Sequence, residues 1–183
     1  MSLLDMVLGA NDGLNVKKVA ESLGIGEKQA RSGIESLLPA LAKGVKRETA
    51  SADGLQGLLG ALAAGNHQRY LDDPDSLTQR ETVADGNGIL GHVFGSKDVS
   101  RRVAAHASER SGVDAGILKK MLPLVATMVM GSMSKQASHA GLGASAPATA
   151  GSSGVMGALS SMLDADDDGS IADDLFGLAK KFF

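Results

Sequence analysis

Apolar side chains recur at helical rather than alternating spacing along most of the chain. Between residues 16 and 23 they follow the i, i+3, i+4, i+7 stripe with which an amphipathic helix faces a core. Asn15 is a suitable N-cap for this helix, and Gly24 is expected to end it. Alternating apolar and polar runs, which indicate half-buried strands, are nearly absent. The pattern predicts an all-α, multihelical fold.

Two longer stripes share one apolar pattern, and each contains a proline. Pro123 in the second stripe lies 84 positions after Pro39 in the first, and the same shift relates all five apolar pairs. Because the apolar phase continues through the proline, one kinked helix fits better than two separate helices. We interpret the stripes as two diverged helical repeats that pack in one core. They are Ile34, Leu37, Leu38, Leu41 and Val45 in the first copy, and Leu118, Met121, Leu122, Val125 and Val129 in the second.

The stripes and the polar stretches between them divide the chain into five segments. A polar connector separates two helical units, and a linker rich in Ala, Gly and Ser precedes an acidic loop and a short C-terminal helix. The segments are 1–65 for the first unit, 66–86 for the connector, 87–133 for the second unit, 134–153 for the flexible linker, and 154–183 for the acidic loop and helix.

Three four-residue segments begin and end with glycine, starting at Gly54, Gly88 and Gly154. Small residues at this kind of spacing let helices approach closely. Glycines that flank helix starts are an equally good interpretation, and the sequence leaves both open.

Composition restricts the compartment and the chemistry. The chain has no cysteine, which excludes disulfides and thiolate metal sites and is compatible with a reducing compartment. Its N-terminal stretch has no basic region followed by a cleavage site, so we expect a cytoplasmic protein without a secretory signal. The longest apolar run, Met121 to Met130, is shorter than the roughly 20 residues of a membrane helix. We therefore expect it to be a buried core helix and expect no membrane span.

Charge is unevenly distributed although the net charge is only −3. Seven basic and three acidic residues lie between Val16 and Arg47, which gives that segment a local charge of +4. The C-terminal part is the reverse, with six aspartates between residues 164 and 174. The basic segment raises the question of nucleic-acid binding.

The segment Val16–Leu38 resembles a DNA-reading helix-turn-helix, in which Lys28, Gln29 and Arg31 would face the groove. The match is partial, because Gly33 stands where a branched apolar residue normally packs. We expect the basic residues to be spread round the helices and offset by the acidic tail. Nucleic acid is therefore an unlikely partner, and a DNA-binding regulator is the alternative function.

No catalytic set is recognisable in the sequence. There is no cysteine nucleophile, no GxSxG elbow and no phosphate-binding glycine loop after a strand. The four histidines are scattered without an obvious carboxylate partner, and His92 and His106 are expected at the surface or the core edge. We therefore expect a protein that is not an enzyme.

The stretch LDADDDGSIADDL, residues 163–175, matches the first half of an EF-hand or dockerin-type calcium loop. With Asp164 at position 1, Asp166 and Asp168 supply carboxylates at positions 3 and 5, and Ser170 offers its carbonyl at position 7. Position 12 is a leucine, so Asp174 would have to replace the usual bidentate ligand. The alternative is an acidic N-cap of the C-terminal helix. Calcium is the one cofactor suggested, and the two readings stay open.

Several motifs taken together resemble the YidB-like bacterial proteins of unknown function. They cover nearly the whole chain apart from the linker. The resemblance implies a compact all-helical fold in a bacterial protein and supplies no activity or catalytic residues. We therefore expect a non-enzymatic structural or interaction module that binds a protein partner or itself. The motifs are MSLLDMVLG, LLPALAKG, GILGHVFGS, MLPLVATMVMG and LDADDDGSIADDLFGLAKKFF.

Calcium titration separates the two interpretations of the acidic stretch. If it is a calcium loop, affinity should be weak, about 10⁻⁴ to 10⁻³ M, because position 12 cannot ligate. Isothermal calorimetry should then show saturable heat for the wild type and little for Asp166→Ala, with magnesium as competitor. No saturable heat up to several millimolar calcium, or equal heat in the variant, would leave only the helix cap.

Overall fold

The computed structural model describes residues 3–51, 53–54, 56–58, 60 and 67–139. This part of the chain is 89% helical and contains no strand, which confirms the all-α prediction. Two short 3₁₀ turns, Ala10–Gly13 and Pro74–Thr78, separate α-helices. The described α-helices are α1 (Leu3–Gly9), α2 (Leu14–Leu23), α3 (Glu27–Thr49), α4 (Arg69–Asp72), α5 (Arg80–Phe94), α6 (Lys97–Ser111) and α7 (Ala115–His139).

α2 ends where the sequence predicts. Gly24 adopts the left-handed conformation with φ +66°, and the N–H of Ile25 donates to the Ala20 carbonyl at 3.0 Å. Glycine is favoured there because it has no Cβ to clash. The expected N-cap at the other end is wrong. Helix α2 starts at Leu14, and Asn15 is a buried residue inside the helix.

α3 and α7 both continue through their prolines, as the uninterrupted apolar phase predicts. All ten residues of the two stripes are buried and belong to one hydrophobic core. The prediction that the stripes pack together is therefore confirmed. The equivalence of the two units as repeats stays a prediction.

α7 lies at the centre of the described fold. It packs against each of the other six α-helices of the described ranges, and every residue from Met121 to Met130 is buried. A helix that is apolar on all sides is stable only when other elements surround it. By length and composition Ala115–Gln136 could cross a membrane, but 78% of its apolar window is buried inside the protein. The prediction of a buried core helix is confirmed.

Glycines allow two helices to approach closely, but not at the predicted segment that starts at Gly88. A Cβ on Gly86 of α5 would clash with the Pro123 carbonyl of α7, and a Cβ on Gly33 of α3 would lie 2.9 Å from a methionine sulfur of α7. Gly88 and Gly91 face open space in the middle of α5, so neither interpretation of that motif is correct. The close contacts fall on the glycines that lie on the core side of each helix.

The predicted polar connector is more structured than its composition suggests. From residue 67 onward it contains α4, a 3₁₀ turn and the first two turns of α5. Tyr70, Leu71 and Leu77 are buried within it. These three apolar side chains hold the connector against the core because neighbouring helices cover them. The local sequence does not show which helices will do so.

The segments beyond α7 are described only at their start. α7 continues through His139, so the first six residues of the predicted linker are helical. The rest of the linker, the glycine pair at Gly154, the acidic loop and the C-terminal helix lie outside the described residues.

Truncation of a core leucine should measure the contribution of the stripes. Leu38→Ala or Leu122→Ala should lower the free energy of unfolding by about 2–5 kcal/mol, because each removes buried methyl groups and leaves a cavity. Leu14→Ala is the control, since 51% of Leu14 is exposed, and should change stability by less than about 0.5 kcal/mol. Urea denaturation gives all three values. Losses below about 1 kcal/mol at both core positions would contradict the shared core.

Candidate functional site

The residues of the predicted calcium loop lie outside the described part of the chain. They are Asp164, Asp166, Asp168, Ser170 and Asp174. Among the residues that the structure does describe, no group of three or more His, Asp or Glu side chains could hold a metal ion. The calcium loop therefore stays a prediction.

The segment predicted to resemble a helix-turn-helix forms α2 and the start of α3, joined by a short turn. Lys28, Gln29 and Arg31 are exposed in the first turns of α3, and the Gln29 Oε1 accepts a hydrogen bond from the Gly26 N–H at 3.2 Å. Gly33, the departure from the motif, is buried against α7. The geometry therefore keeps these three side chains accessible, although Gln29 caps its own helix.

Four of the five basic residues of α3 lie on one side of the helix, and the expectation that the basic residues of 16–47 are spread round the helices stays a prediction. At 100° per residue, Lys28, Arg31, Lys43 and Lys46 fall within one sector of the helix, and all four are exposed. Burial explains this arrangement, since the opposite face of α3 packs in the core and excludes charge.

Two of the four histidines, His67 and His92, lie closer together than their positions in the sequence suggest. His67 and His92 line one pocket of about 390 Å³, together with Glu48 and Asp53 and the side chains of α5 and α7. His92 and His106 are exposed, as expected. A second cleft is formed by a different set of helices.

This second cleft, of about 560 Å³, lies between the N-terminal helix and the end of the central helix. Its walls come from α1, the first 3₁₀ turn, α4 and the last turns of α7. The volume is within the range of about 300–1,000 Å³ that small-molecule sites occupy. We call it the N-terminal cleft; its lining residues are Asp5, Met6, Gly9, Ala10, Asn11, Leu71, Asp72, Ser132, Lys135 and Gln136.

Two asparagine side chains hold one wall of the N-terminal cleft. The Leu71 carbonyl oxygen accepts a hydrogen bond from Nδ2 of Asn15 at 3.1 Å and another from Nδ2 of Asn11. Asn15 is fully buried, and its Oδ1 has no hydrogen-bond partner among the described residues. We call this arrangement the asparagine clamp. It joins the N-terminal turn to α4, which is 56 to 60 positions away in sequence.

The turn beside the clamp has an uncommon backbone. Asn11, Asp12 and Gly13 all adopt positive φ, at 50°, 55° and 83°. Asparagine and aspartate tolerate this region better than other non-glycine residues, yet each still costs on the order of 1–3 kcal/mol. The buried hydrogen bonds to the Leu71 carbonyl offset this cost.

The polar groups of the cleft are mostly acceptors. Asp5 and Asp72 contribute carboxylates, and the Lys135 ammonium group forms an ion pair with the Asp72 Oδ1 at 3.1 Å. Gln136 Oε1 is buried and has no hydrogen-bond partner among the residues that the structure describes. A buried acceptor without a donor is costly. The cleft therefore favours a ligand that brings a hydrogen-bond donor to the Gln136 Oε1.

Contacts between α4 and its neighbours keep Leu71 and Asp72 at the cleft. The Gln68 Nε2 donates to the Ser138 Oγ of α7 at 2.6 Å. The Tyr70 hydroxyl donates to Asp85 of α5, and burial of this side chain raises the pKa of the phenol. Tyr70 thus stays protonated and remains a donor.

Sequence reasoning missed every residue of the cleft. Asn15 was interpreted as a local cap, and the segment with Tyr70 and Leu71 as a polar connector. The available signal was the pair Tyr70–Leu71, which places the only tyrosine of the chain and a leucine inside a polar stretch. Such a pair indicates a short segment that packs its apolar side chains against the core.

Substitution of Asn15 should show how much the clamp stabilises the fold. Asn15→Ala should lower the free energy of unfolding by about 1–2 kcal/mol, because a buried hydrogen bond is lost while the Asn11 donor remains. Asn15→Asp should cost more, since it places a carboxylate against a carbonyl in a buried position. Lys17→Ala, on the exposed side of α2, is the control in the same urea titration. Equal stability of the Asp and Ala variants would contradict a clamp made by the amide donor.

Comparison with known proteins agrees with the resemblance noted in the sequence. A family model described as a bacterial protein of unknown function, DUF937, matches residues 5–136. The matched region contains the asparagine clamp and every residue that lines the N-terminal cleft. No curated protein and no solved structure matches the chain. The chain belongs to the DUF937 family of bacterial proteins of unknown function.

Proposed function

We propose that the protein is a non-enzymatic helical binding module whose N-terminal cleft receives a basic, partly apolar segment of a protein partner. One observation supports this most strongly. The Gln136 Oε1 is buried and has no hydrogen-bond partner among the described residues, and it lies in the cleft with the Asp72 carboxylate, which pairs with Lys135. A lysine or arginine side chain supplies both the positive charge and the donors that these groups accept.

The walls of the cleft fit an apolar neighbour of that cation. Met6 and Ala10 on one side and Leu71 on the other provide aliphatic surface. Concave sites with apolar walls and a few convergent polar groups are the usual form of a binding site. A segment in which a basic residue adjoins a large apolar residue would therefore use both kinds of surface.

The chemistry of the lining residues favours binding over catalysis. Among the lining residues that the structure describes, the one hydroxyl, on Ser132, donates to the Met128 carbonyl at 2.9 Å, and none is a histidine that could act as a base. An activated serine needs a base within hydrogen-bond reach. The cleft supplies charge and shape without such a pair.

DNA binding is the second candidate function, favoured by the exposed Lys28, Gln29 and Arg31 at the start of α3. We rank it below the cleft because Glu27 and Glu35 are exposed on the same half of the helix and offset its charge. The two carboxylates on this face weaken its attraction for the phosphates of DNA.

Amide chemical shifts should locate binding directly. A peptide Ac-Lys-Lys-Phe-Phe-NH₂ added to ¹⁵N-labelled protein should shift the amides of Asp5, Asn11, Asp72 and Gln136. Asp5→Lys should weaken the peptide about tenfold, which corresponds to about 1.4 kcal/mol. Ac-Glu-Glu-Phe-Phe-NH₂ should leave the cleft unchanged.

Glu109→Lys is the matched control, because it changes the net charge equally at an exposed site on α6. Its affinity for the basic peptide should equal that of the wild type. A mixed-sequence DNA duplex serves as the comparison probe. The second candidate would be favoured, and the first refuted, by two results together. The duplex would shift the amide signals at the start of α3, and the peptide would leave the amide signals of the cleft unchanged.

A further inference from the structure

We propose that the pocket between α3 and α5 binds a small amphiphilic amine, a molecule with an apolar body and a protonated amino head. We call it the α3–α5 pocket; it is the pocket of about 390 Å³ that His67 and His92 line. Its volume is within the range of about 300–1,000 Å³ that small-molecule sites occupy. The proposal uses no residue of the N-terminal cleft and does not depend on the proposed function.

Apolar side chains from three helices form the inner walls of the pocket. Val45 of α3, Ile89 and Val93 of α5, and Met130 of α7 line it. Three of them are buried members of the hydrophobic core, and Ile89 packs against that core. These walls are therefore fixed by the folded core. An apolar ligand body can leave water there without a rearrangement of the helices.

A glycine sets the distance between the two main walls. A Cβ on Gly44 of α3 would overlap the Cγ1 of Val93 and would lie 3.1 Å from the Val93 carbonyl oxygen. That carbonyl also accepts a hydrogen bond from the Arg47 Nη2 at 3.2 Å. The close approach at Gly44 and the hydrogen bond from the next turn hold α5 against α3. The pocket is thus preorganised, which lowers the cost of binding.

The turn after α3 brings a second carboxylate to the pocket. The N–H and the hydroxyl of Ser51 donate to the Glu48 carbonyl at 3.4 and 3.2 Å, and the Gly54 N–H donates to the Ser51 Oγ at 3.0 Å. A Cβ on Gly54 would overlap the Glu48 carbonyl oxygen, so Gly54 lies directly against the last turn of α3. Asp53, next to this glycine, lines the pocket together with Glu48.

Charge complementarity selects the head group of the ligand. Glu48 is half-buried, and neither Glu48 nor Asp53 forms an ion pair within the part of the chain that the structure describes. The described lining residues include no lysine or arginine. A carboxylate that is partly removed from water without a cation is costly. An ammonium group supplies the missing charge together with three donors.

An organic cation fits the pocket better than a metal ion does. Among the described residues, no group of three or more His, Asp or Glu side chains could hold a metal. The inner walls are aliphatic, and a hydrated metal ion would gain nothing from them. A molecule with an amino group near Glu48 and an alkyl or aryl body against Ile89 uses both kinds of surface.

Methyl NMR of the full chain with three probes of similar length tests this ligand class. The probes 4-phenylbutylamine, 4-phenylbutan-1-ol and 4-phenylbutanoate share an apolar body and differ in the head group. The amine should shift the methyl signals of Val45, Ile89, Val93 and Met130 in a saturable way. Its dissociation constant should be on the order of 10⁻⁴ to 10⁻³ M, as expected for about eleven non-hydrogen atoms. The alcohol should bind at least about fivefold more weakly, and the carboxylate more weakly still, because only the amine attracts the two carboxylates.

Removal of the Glu48 charge separates the contribution of charge from that of shape. Glu48→Gln should weaken binding of the amine about five- to tenfold and leave the affinity for the alcohol unchanged, because only the ammonium group forms a charge-assisted hydrogen bond to the carboxylate. Glu35→Gln is the matched control, since it removes the same charge from an exposed position on the same helix. It should leave both affinities unchanged.

The same titrations contain the results that would overturn the proposal. They are no saturable shift of the pocket methyl signals up to several millimolar amine, equal affinity for the amine and the carboxylate, or equal weakening of the amine by Glu48→Gln and Glu35→Gln. Shifts confined to the methyl signals of Met6, Ala10 and Leu71, which line the N-terminal cleft, would also refute the α3–α5 pocket and would assign the amine to that cleft.

Discussion

The burial of α7 on every side is the constraint on which the rest of the described fold depends. All ten residues from Met121 to Met130 are buried, so a single neighbouring layer cannot satisfy them. Six other helices surround this one, and glycines at Gly33 and Gly86 allow two of them to lie against its backbone and side chains. Removing so much apolar surface from water is the main favourable contribution to such a fold. The short helices serve mainly to complete this enclosure.

The asparagine clamp holds one wall of the N-terminal cleft at the edge of this core. The Leu71 carbonyl receives two amide donors from the N-terminal turn, which fixes α1 and α4 relative to the end of α7. The resulting cleft is defined by helices that meet only in the folded protein.

The candidate site was not predictable from local patterns, for an identifiable physical reason. Asn15 follows a glycine and precedes an amphipathic stripe, so its sequence context is that of an N-cap. In the fold it is buried and donates to a carbonyl 56 positions away. Similarly, the polar composition around Tyr70 hides an anchor whose hydroxyl binds Asp85. A hydrogen bond between distant residues has no local periodicity and leaves no trace in a short window of sequence.

The sequence alone determined the elements that follow from periodicity and backbone sterics. It determined the helical class, the glycine end of α2, the passage of α3 through Pro39 and the burial of the apolar run in α7, because each depends on neighbouring residues within a few turns. Tertiary structure alone decided which glycines make close contacts, that a polar connector is helical, and that Asp5, Asp72 and Gln136 share a cleft. Those outcomes depend on which helix faces pack together. The packing is determined by the free energy of burying side chains throughout the core, and no short window of sequence contains that information.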